Sequence, residues 1–329
     1  MRGFSLVELM VAMALGLFVM LVIGTVFDAN SRTSRYTEAS NDIQAQGRVA
    51  LDLLRRDLRI AGFRGCNSNQ LMGSGALRNV IAGPTDYNND LAAFLRGHAG
   101  TGTDFAPAAP GEITGADPVA LAASDAITIR VPIGDPRPVN GLMASAVVDV
   151  PLFSVAGLQV GDRVVVADCA QTSAFRVTGF TGTAVRHEAG LNQTNDLGRA
   201  FGPDAMLVPF ATVSYYVGVG ADGTNSLFRR IGATAASEEV AAHVDEFRIE
   251  YGVDTTGDFA ADQYVMADQV ANWDQVVSVR AGLLLRSQQD GVTPAAQQYA
   301  FDGRPALVAA DRRLRRPFTI TVQLRNRTT

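Results

Sequence analysis

The stretch from Met1 to Phe27 reads MRGFSLVELMVAMALGLFVMLVIGTVF and carries the strongest structural signal in the chain. From Phe4 onward its residues are almost all apolar. The hydrocarbon core of a bilayer is about 30 Å thick, and a helix needs roughly 20 apolar residues to cross it. This stretch supplies about 24 residues, which reach roughly 36 Å at the helical rise per residue. The sequence therefore predicts a membrane-spanning helix at the start of the chain.

One carboxylate, Glu8, lies about one turn inside this apolar run. An acidic side chain at the membrane centre costs about 2.5–3.5 kcal/mol on insertion scales, so Glu8 predicts a function. A plain single-span anchor leaves Glu8 unexplained. A cleaved secretory signal would need a longer charged region, a shorter apolar core and a small-x-small cleavage site. The carboxylate is tolerable if a positive partner arrives, and the positive end of the helix dipole also favours it.

The order Gly3-Phe4-Ser5-Leu6-Val7-Glu8 resembles the class III signal of type IV prepilins. The resemblance implies that residues 1–3 are a leader, that a prepilin peptidase cleaves between Gly3 and Phe4, and that Phe4 is then N-methylated. It also implies that Glu8 pairs with the N-terminal ammonium of a neighbouring subunit during assembly. A newly exposed α-amine is the kind of partner that a carboxylate in lipid needs.

The composition excludes several classes of protein. All 28 basic residues of the 329-residue chain are arginine, which excludes a P-loop lysine, a Schiff-base lysine and a kinase-type lysine. The net charge of −5 gives no reason to expect nucleic-acid binding through the whole surface. Neither H-E-x-x-H nor G-x-S-x-G occurs, so the sequence predicts a protein that is not an enzyme.

After Phe27 the helix is predicted to continue to Gly62, where glycine can cap it. Small and apolar residues recur at three- and four-residue steps and form one helical face. They are Ile43, Gly47, Ala50, Leu54, Leu58 and Ala61. Asp52 and Arg56 are predicted to pair on the solvated side. The expected helix has about 58 residues, with a transmembrane half at 4–27 and an amphipathic half at 28–62.

The rest of the chain divides into two segments by composition. Residues 63–124 are rich in Gly, Ala, Asn, Asp and Pro and predict an irregular segment with a few short elements. Residues 125–329 contain many short Val- and Ile-rich runs and predict a β-rich exported domain. Within it, Asp222-Gly223 predicts a hairpin turn. One long helix followed by a series of strands predicts an α+β fold with a mostly antiparallel sheet.

Four local strings resemble PilW-type minor pilins, and the resemblance runs from end to end. They are Ile60–Cys66, Ala167–Cys169, Phe247–Asp254 and Phe318–Arg327. The resemblance implies a minor pilin of a type IV pilus that helps initiate assembly in the inner membrane, lies at the fibre tip and supports twitching motility. The implied partners are other minor pilins and the major pilin through the N-terminal helix, the prepilin peptidase, the inner-membrane assembly platform and a tip adhesin. The implied location is a single pass in the inner membrane with a periplasmic C-terminal domain, and then the fibre at the cell surface.

Two other functions remain open at this point. The architecture also resembles the J-type minor pseudopilins of type II secretion. Alternatively, the β-rich domain is a tip-exposed binding or adhesion module, because about 260 residues after the helix are more than packing of a pilin needs.

The two cysteines, Cys66 and Cys169, lie outside the predicted membrane span. If Arg2 stays in the cytoplasm, everything after Phe27 is exported into an oxidising compartment, which favours a disulfide between them. Closing a loop of about 100 residues would stabilise the fold by up to about 4.7 kcal/mol in the chain-entropy model. Two buried thiols are the alternative. A metal pair is disfavoured because His98, His187 and His243 show no ligand spacing around either cysteine.

Two motifs resemble ligand-binding sequences. Asp254, Asp258 and Asp262 have spacings similar to a calcium loop, but Val265 stands where a bidentate glutamate would be expected, so a solvated loop is the default. Gly218–Gly223 matches G-x-G-x-x-G, but a strand pattern follows it instead of the helix that a dinucleotide site needs. The sequence therefore predicts no cofactor and commits to no metal.

A basic cluster and the single tryptophan are the last candidate contact sites in the sequence. The cluster could contact lipid headgroups or DNA, but a solvated turn paired with acids such as Asp311 is favoured, and no nucleic acid is predicted as a partner. Its members are Arg312, Arg313, Arg315 and Arg316. Trp273 with Tyr264 could mark a partner contact, although a single tryptophan more often lies in the core.

Overall fold

The chain begins with one long helix and continues as an array of β-sheets. The computed structural model describes residues 6–63, 77–91, 94–233 and 235–326. Helix α1 (Leu6–Ile60) has 55 residues, which agrees with the predicted long helix. Gly62 follows it with φ +71°, a left-handed conformation that glycine adopts without strain. The Gly62 N–H donates to the Arg130 carbonyl at 3.0 Å, so the end of the helix is joined directly to a β-strand.

The described residues also contain a short helix, α2 (Gly111–Thr114), and two 3₁₀ turns at Ala267–Gln269 and Trp273–Gln275. The strands, in chain order, are β1 (Leu77–Asn79), β2 (Leu95–Gly100), β3 (Phe105–Ala106), β4 (Ala126–Pro132), β5 (Arg137–Pro138), β6 (Val150–Pro151), β7 (Arg163–Ala167), β8 (Thr172–Arg176), β9 (Gly179–Thr181), β10 (Ala184–Arg186), β11 (Met206–Val219), β12 (Asn225–Ile231), β13 (Glu238–Ala241), β14 (Val244–Val253), β15 (Gln263–Val265), β16 (Val276–Arg286), β17 (Gln298–Tyr299), β18 (Leu307–Val308) and β19 (Arg315–Gln323).

Two sheets organise the domain. The larger runs in the order β1-β8-β7-β11-β4-β2-β3, and the long strand β11 also pairs with β5 and β12, while β12 pairs with β13. The second sheet runs β15-β14-β16-β19. Small sheets are formed by β6-β10-β9 and by β17-β18. Among the named strands of the described residues, β1 and β8 pair in parallel and the other pairs are antiparallel. The predicted α+β fold with a mostly antiparallel sheet is confirmed.

The main core forms where one face of α1 meets both large sheets. Leu54 and Leu58 are fully buried there, together with Tyr215 of β11 and Phe247 of β14. Burying a leucine side chain contributes about 1.5–3 kcal/mol relative to leaving it in water. The six residues predicted to form the helix face are all buried. A second cluster, around Phe175, Phe201 and Leu207, includes no described residue of α1.

The segment at 63–124 is more closely integrated than its composition predicts. Strand β2 pairs with β4 from Leu95 opposite Ile129 to His98 opposite Ala126, so the larger sheet crosses the predicted boundary at residue 124. The glycines of β2 interrupt the alternating pattern that would indicate a strand. They occupy these positions because other parts of the chain pack closely against the backbone there. A Cβ at Gly97 would lie 2.0 Å from Tyr251 Oη. Strand β2 is one of the few short elements expected in this segment, and its pairing with β4 was not predicted.

Two local predictions near the helix and the hairpin can be compared directly. Asp52 pairs with Arg55 at 3.2 Å across one helical turn, so its predicted pairing with Arg56 is wrong. The predicted hairpin is confirmed: β11 pairs with β12 from Val213 opposite Ile231 to Val219 opposite Asn225. Gly223, in the turn between them, has φ +77° and supplies the conformation that this turn requires.

Candidate functional site

The first half of α1 exposes its apolar side chains on every side. The large apolar residues between Leu6 and Phe27 are 43% to 76% exposed in the isolated chain. This part of the helix is long and apolar enough to cross a membrane, and none of its apolar stretch is buried against the rest of the described chain. Contiguous apolar surface of this size marks a membrane or protein contact. The exposed half therefore requires an apolar environment that the rest of the chain does not supply.

Polar groups within this half are few and locally arranged. The Thr25 hydroxyl donates to the Val22 carbonyl at 2.8 Å, so the helix itself satisfies it. Glu8 is exposed and lies in the first turn of the described helix. At that place the carboxylate meets the positive end of the helix dipole. The structure thus places one acidic group at the beginning of an otherwise apolar surface.

The second half of α1 is fixed to the β domain by a buried polar cluster. Asp57 is 3% exposed and its Oδ2 accepts hydrogen bonds from Tyr215 Oη at 2.7 Å and from Arg229 Nε at 2.9 Å. Burial, followed by the Asp57 carboxylate, raises the pKa of Tyr215 and keeps its hydroxyl protonated as a donor. A buried carboxylate is tolerated when it is paired and hydrogen-bonded. The cluster therefore fixes where the helix lies on β11 and β12.

Sequence reasoning missed this cluster. Asp57 was assigned no role, although it lies beside Leu54 and Leu58 on the face that was predicted to be buried. A carboxylate on an apolar helical face requires a partner, and this was the available signal. The identity of the partners could not be read from the chain, because Tyr215 and Arg229 are 158 and 172 residues away.

Two family models match this chain. Residues 214–326 match the model described as Type IV Pilus-assembly protein W, PilW, and residues 1–24 match the Prokaryotic N-terminal methylation motif. The chain is a type IV pilin-like protein with a PilW domain. The methylation motif and the apolar helix together indicate a membrane-anchored pilin.

Two proteins from Thermus thermophilus can be compared with this chain. The pilin-like protein is 41% identical over 68 residues to the Pilin-like protein PilA3 of that organism, a match that covers 20% of this chain and 29% of that protein. The chain thus spans less than a third of the length of this curated relative. The solved structure of the Type IV-like pilin TTHA1219 aligns over 87% of this chain and 99% of its own, with 11% identity and a TM-score of 0.34.

The PilW-matched segment contains the surface that receives the helix. It includes the four-stranded sheet, and it also supplies Tyr215 and Arg229, the two partners of Asp57. Phe318 of β19 lies against Gly47 of the helix, where a Cβ would be 2.7 Å from the phenyl ring. In this pilin-like protein, the PilW domain therefore holds the amphipathic half of α1 by both polar and apolar contacts.

The structure describes some of the residues predicted for processing and cross-linking but not others. Gly3, Phe4 and Cys66 lie outside the described residues. Glu8 is on the exposed half of α1, and Cys169 lies two residues after β7. Cleavage between Gly3 and Phe4, methylation of Phe4, pairing of Glu8 and a Cys66–Cys169 disulfide all stay predictions.

The aspartates of the candidate calcium loop are engaged with the loop itself. Asp254 accepts the N–H groups of Gly257 at 2.6 Å and Phe259 at 2.8 Å, and Asp262 accepts that of Thr255 at 2.7 Å. Hydrogen bonding from Thr255 lowers the pKa of Asp262. Within the described ranges, no group of three or more His, Cys, Asp or Glu residues is arranged to hold a metal ion. The sequence favours a solvated loop over a calcium site here, and calcium binding near Asp254, Asp258 and Asp262 stays untested.

The remaining motifs have structural roles. Gly218–Gly223 forms the end of β11 and the turn into β12, with no helix N-terminus for a pyrophosphate. In the basic cluster, hydrogen bonding from Arg315 lowers the pKa of Asp311 to about 2, and Arg315 Nε also donates to Asp245 at 2.6 Å. Trp273 is buried against Tyr251, with ring centroids 4.9 Å apart.

Proposed function

We propose that this chain is a minor pilin of a type IV pilus that helps initiate pilus assembly in the inner membrane and lies at the fibre tip. The observation that supports it most strongly is the combination of two matches in one chain, the methylation motif at 1–24 and the PilW model at 214–326. Helix α1 connects these two regions, with an exposed apolar half and a half docked on the PilW domain. This is a structural role, and we propose no catalytic activity.

The proposed assembly step depends on charge in an apolar environment. Cleavage between Gly3 and Phe4 would create an α-ammonium group four residues before Glu8 in the sequence. The ammonium of one subunit and the Glu8 carboxylate of its neighbour would neutralise each other within the bundle. The proposed partners are therefore other minor pilins and the major pilin through α1, after the prepilin peptidase and together with the inner-membrane assembly platform. A tip adhesin would contact the β domain.

The proposed orientation follows from the charges that flank the apolar half. Arg2 would stay in the cytoplasm, and the chain beyond Phe27 would enter the periplasm. That compartment is oxidising, which supports the proposed Cys66–Cys169 disulfide. After assembly, the β domain would be displayed on the fibre at the cell surface.

The sharpest test replaces Glu8 in the producing cell. Glu8→Ala and Glu8→Gln should prevent fibre formation while the protein still inserts in the membrane, because the apolar span is intact. Glu38→Ala, a change of the same kind at an exposed position on the docked half of α1, is the matched control. Electron microscopy would count fibres, and mass spectrometry of the N-terminal peptide would detect methylated Phe4. Normal piliation by both Glu8 variants would contradict the proposal.

A second experiment separates the pilus from a secretion system. Deletion of the gene should remove surface fibres and twitching motility without stopping protein secretion. Antibody labelling of sheared fibres should place the β domain at fibre ends. Loss of secretion with normal fibres would favour a type II secretion pseudopilin instead.

A further inference from the structure

The loop between β14 and β15 presents an aromatic side chain to solvent. Phe259 is 45% exposed and has φ +65°, a left-handed conformation that is strained for a residue with a side chain. Glycine would adopt this conformation without strain, so the turn itself gives no reason for a phenylalanine. The Phe259 N–H donates to Asp254 Oδ2 at 2.8 Å, which holds the strained backbone in place. The loop therefore keeps an exposed aromatic residue at a fixed position, and aromatic residues are enriched where proteins contact each other.

The two residues that follow Phe259 line a groove with basic side chains. The groove has a volume of about 640 Å³, and its lining includes Ala260 and Ala261 together with Arg55 and Arg59 of α1. None of the described residues that line it is acidic, although the whole chain has a net charge of −5. We call it the arginine groove. The arginine groove and Phe259 are therefore neighbours, and together they offer a partner both positive charge and an apolar contact.

The β-domain side of the arginine groove is held in place by contacts within the domain. Ser278 Oγ donates to Tyr264 Oη at 3.1 Å, and the Arg280 guanidinium lies 3.9 Å from the centre of the Tyr264 ring. Ala261 packs closely on Gly252, where an added Cβ would be 2.8 Å from the Ala261 Cβ. A surface that is already ordered loses little conformational freedom when a partner binds, which favours specific docking.

The charges of the groove favour an anionic partner. Arg55 and Arg59 are both exposed and lie four residues apart, so they share one helical face. Like charges at this spacing repel each other. The ion pair of Arg55 with Asp52 is exposed to solvent on both sides, and such pairs contribute little. A carboxylate placed between the two guanidinium groups would relieve their repulsion and accept hydrogen bonds from them.

We propose that the arginine groove and Phe259 receive an acidic, partly apolar surface of a different pilin that lies beside this chain in the fibre. Arg55 and Arg59 belong to α1 itself, so a subunit whose helix packs along α1 would meet the groove with its own domain. The apolar contact would supply affinity, and the complementary charge would select the partner. The inference rests on the proposed function and names a surface for it, because a place at the fibre tip puts other pilins beside this chain.

Photocrosslinking of the full chain in the producing cell tests this contact. Gln323, an exposed residue that lines the arginine groove, is replaced by the photoreactive analogue benzoylphenylalanine. Irradiation should yield a product that joins this chain to a different chain with a prepilin-type N-terminus, which mass spectrometry of the product would identify. The same replacement at Gln159, an exposed glutamine that does not line the groove, is the matched control and should not yield this product.

Two substitutions should then reduce crosslinking from the groove position. Arg55→Glu/Arg59→Glu should reduce it about ten-fold or more, because acidic groups would then face each other. Phe259→Ala should reduce it about ten-fold, because it removes the aromatic contact and leaves the charge of the groove unchanged. Both effects are expected because the proposal requires charge and apolar contact together.

A second double variant controls for the change of charge. Arg78→Glu/Arg312→Glu reverses two exposed arginines that do not line the groove, and Arg78, like Arg55, forms an exposed ion pair. Crosslinking should be unchanged in this variant. Fluorescence of Trp273, which lies in the core, would verify that each purified variant is folded.

Three outcomes would overturn the docking proposal. The first is a crosslink from the groove position only to a second copy of this chain. The second is the absence of any crosslinked pilin. The third is a crosslink that persists in both the arginine variant and Phe259→Ala. If Arg55→Glu/Arg59→Glu does not fold, Arg55→Gln/Arg59→Gln removes the same charges with a milder change and should also reduce the product.

The fibre assay distinguishes failure of this inference from failure of the proposed function. If Glu8→Ala abolishes fibres but the groove position crosslinks to no other pilin, the minor-pilin function stands and the docking is wrong. If the crosslink forms and depends on the arginines and Phe259, but deletion of the gene leaves fibres and twitching intact, the docking stands and the minor-pilin function is wrong.

Discussion

The two halves of α1 share one secondary structure but have opposite environments. In the first half, Phe27 is 76% exposed and its apolar neighbours are exposed on all sides. In the second half, Leu54 is 0% exposed and lies in the main core, while the opposite face carries charged residues such as Arg55. Continuous backbone hydrogen bonding makes both halves helical. The two halves differ in their surroundings: the first half is suited to an apolar environment on all sides, and the second half to a boundary between protein core and water.

This difference separates two sources of stability. The docked half is held by packing and by the Asp57 cluster, so its substitutions should alter unfolding of the β domain. Among the described residues, the exposed half makes no such contacts with the domain. Its substitutions should therefore alter membrane behaviour and leave domain unfolding unchanged. Urea unfolding of the full chain in detergent, followed by Trp273 fluorescence, measures the first effect alone.

The largest expected effect comes from the buried polar cluster. Asp57→Ala should lower the free energy of unfolding by about 3–5 kcal/mol, because it leaves the half-buried Arg229 guanidinium and the buried Tyr215 hydroxyl without their acceptor. Tyr215→Phe in the same background should then cost less than it does alone, since the hydroxyl has already lost its partner. Equal costs of Tyr215→Phe in both backgrounds would show that the cluster is not coupled.

The next effect compares one leucine from each half. Leu54→Ala should lower the unfolding free energy by about 2–5 kcal/mol, because it opens a cavity in the core. Leu17→Ala, at a position that is 70% exposed, should change it by less than about 0.5 kcal/mol. Similar losses in the two variants would contradict the division of the helix into a free half and a docked half.

The third prediction concerns the pH dependence of the unfolding free energy of the β domain. Burial lowers the pKa of His98 to about 4, and its Nδ1–H donates to the Pro107 carbonyl at 3.1 Å. Because the unfolded chain binds this proton more readily, the stabilisation is complete above pH 6.5 and is lost as pH falls toward 4. The loss amounts to at most about 3 kcal/mol. His98→Gln should reduce the change in unfolding free energy between pH 6.5 and pH 4. An unchanged pH profile in this variant would show that His98 does not cause the loss.

The smallest effect compares two helical glycines. Gly47→Ala should lower the unfolding free energy by about 1–3 kcal/mol, because the added methyl group meets the Phe318 ring and forces it to move. Gly24→Ala has no atom within 4 Å of its new Cβ and should leave domain unfolding unchanged. Trimming the ring with Phe318→Leu should reduce the cost of Gly47→Ala, which a double-mutant cycle would measure.

Much of the architecture follows from local patterns. The apolar run ending at Phe27 and the repeat from Ile43 to Ala61 were sufficient to predict α1, because helical periodicity is read within a few residues. The position and pairing of strand β2 were not predicted, because its glycines, Gly97 and Gly100, serve contacts with distant chain segments. A Cβ at Gly100 would lie 2.4 Å from the Ser124 carbonyl oxygen, a contact that no local pattern indicates.

Residues that are neighbours along the chain were enough to specify the long apolar helix, the acidic group within it and the class of fold. The folded molecule was needed to show that Asp57 meets Tyr215 and Arg229, and that strands β13 and β19 both contact one helix. The Asp57 cluster joins residues more than 150 positions apart. Such arrangements depend on how sheets pair and pack, which a one-dimensional pattern does not specify.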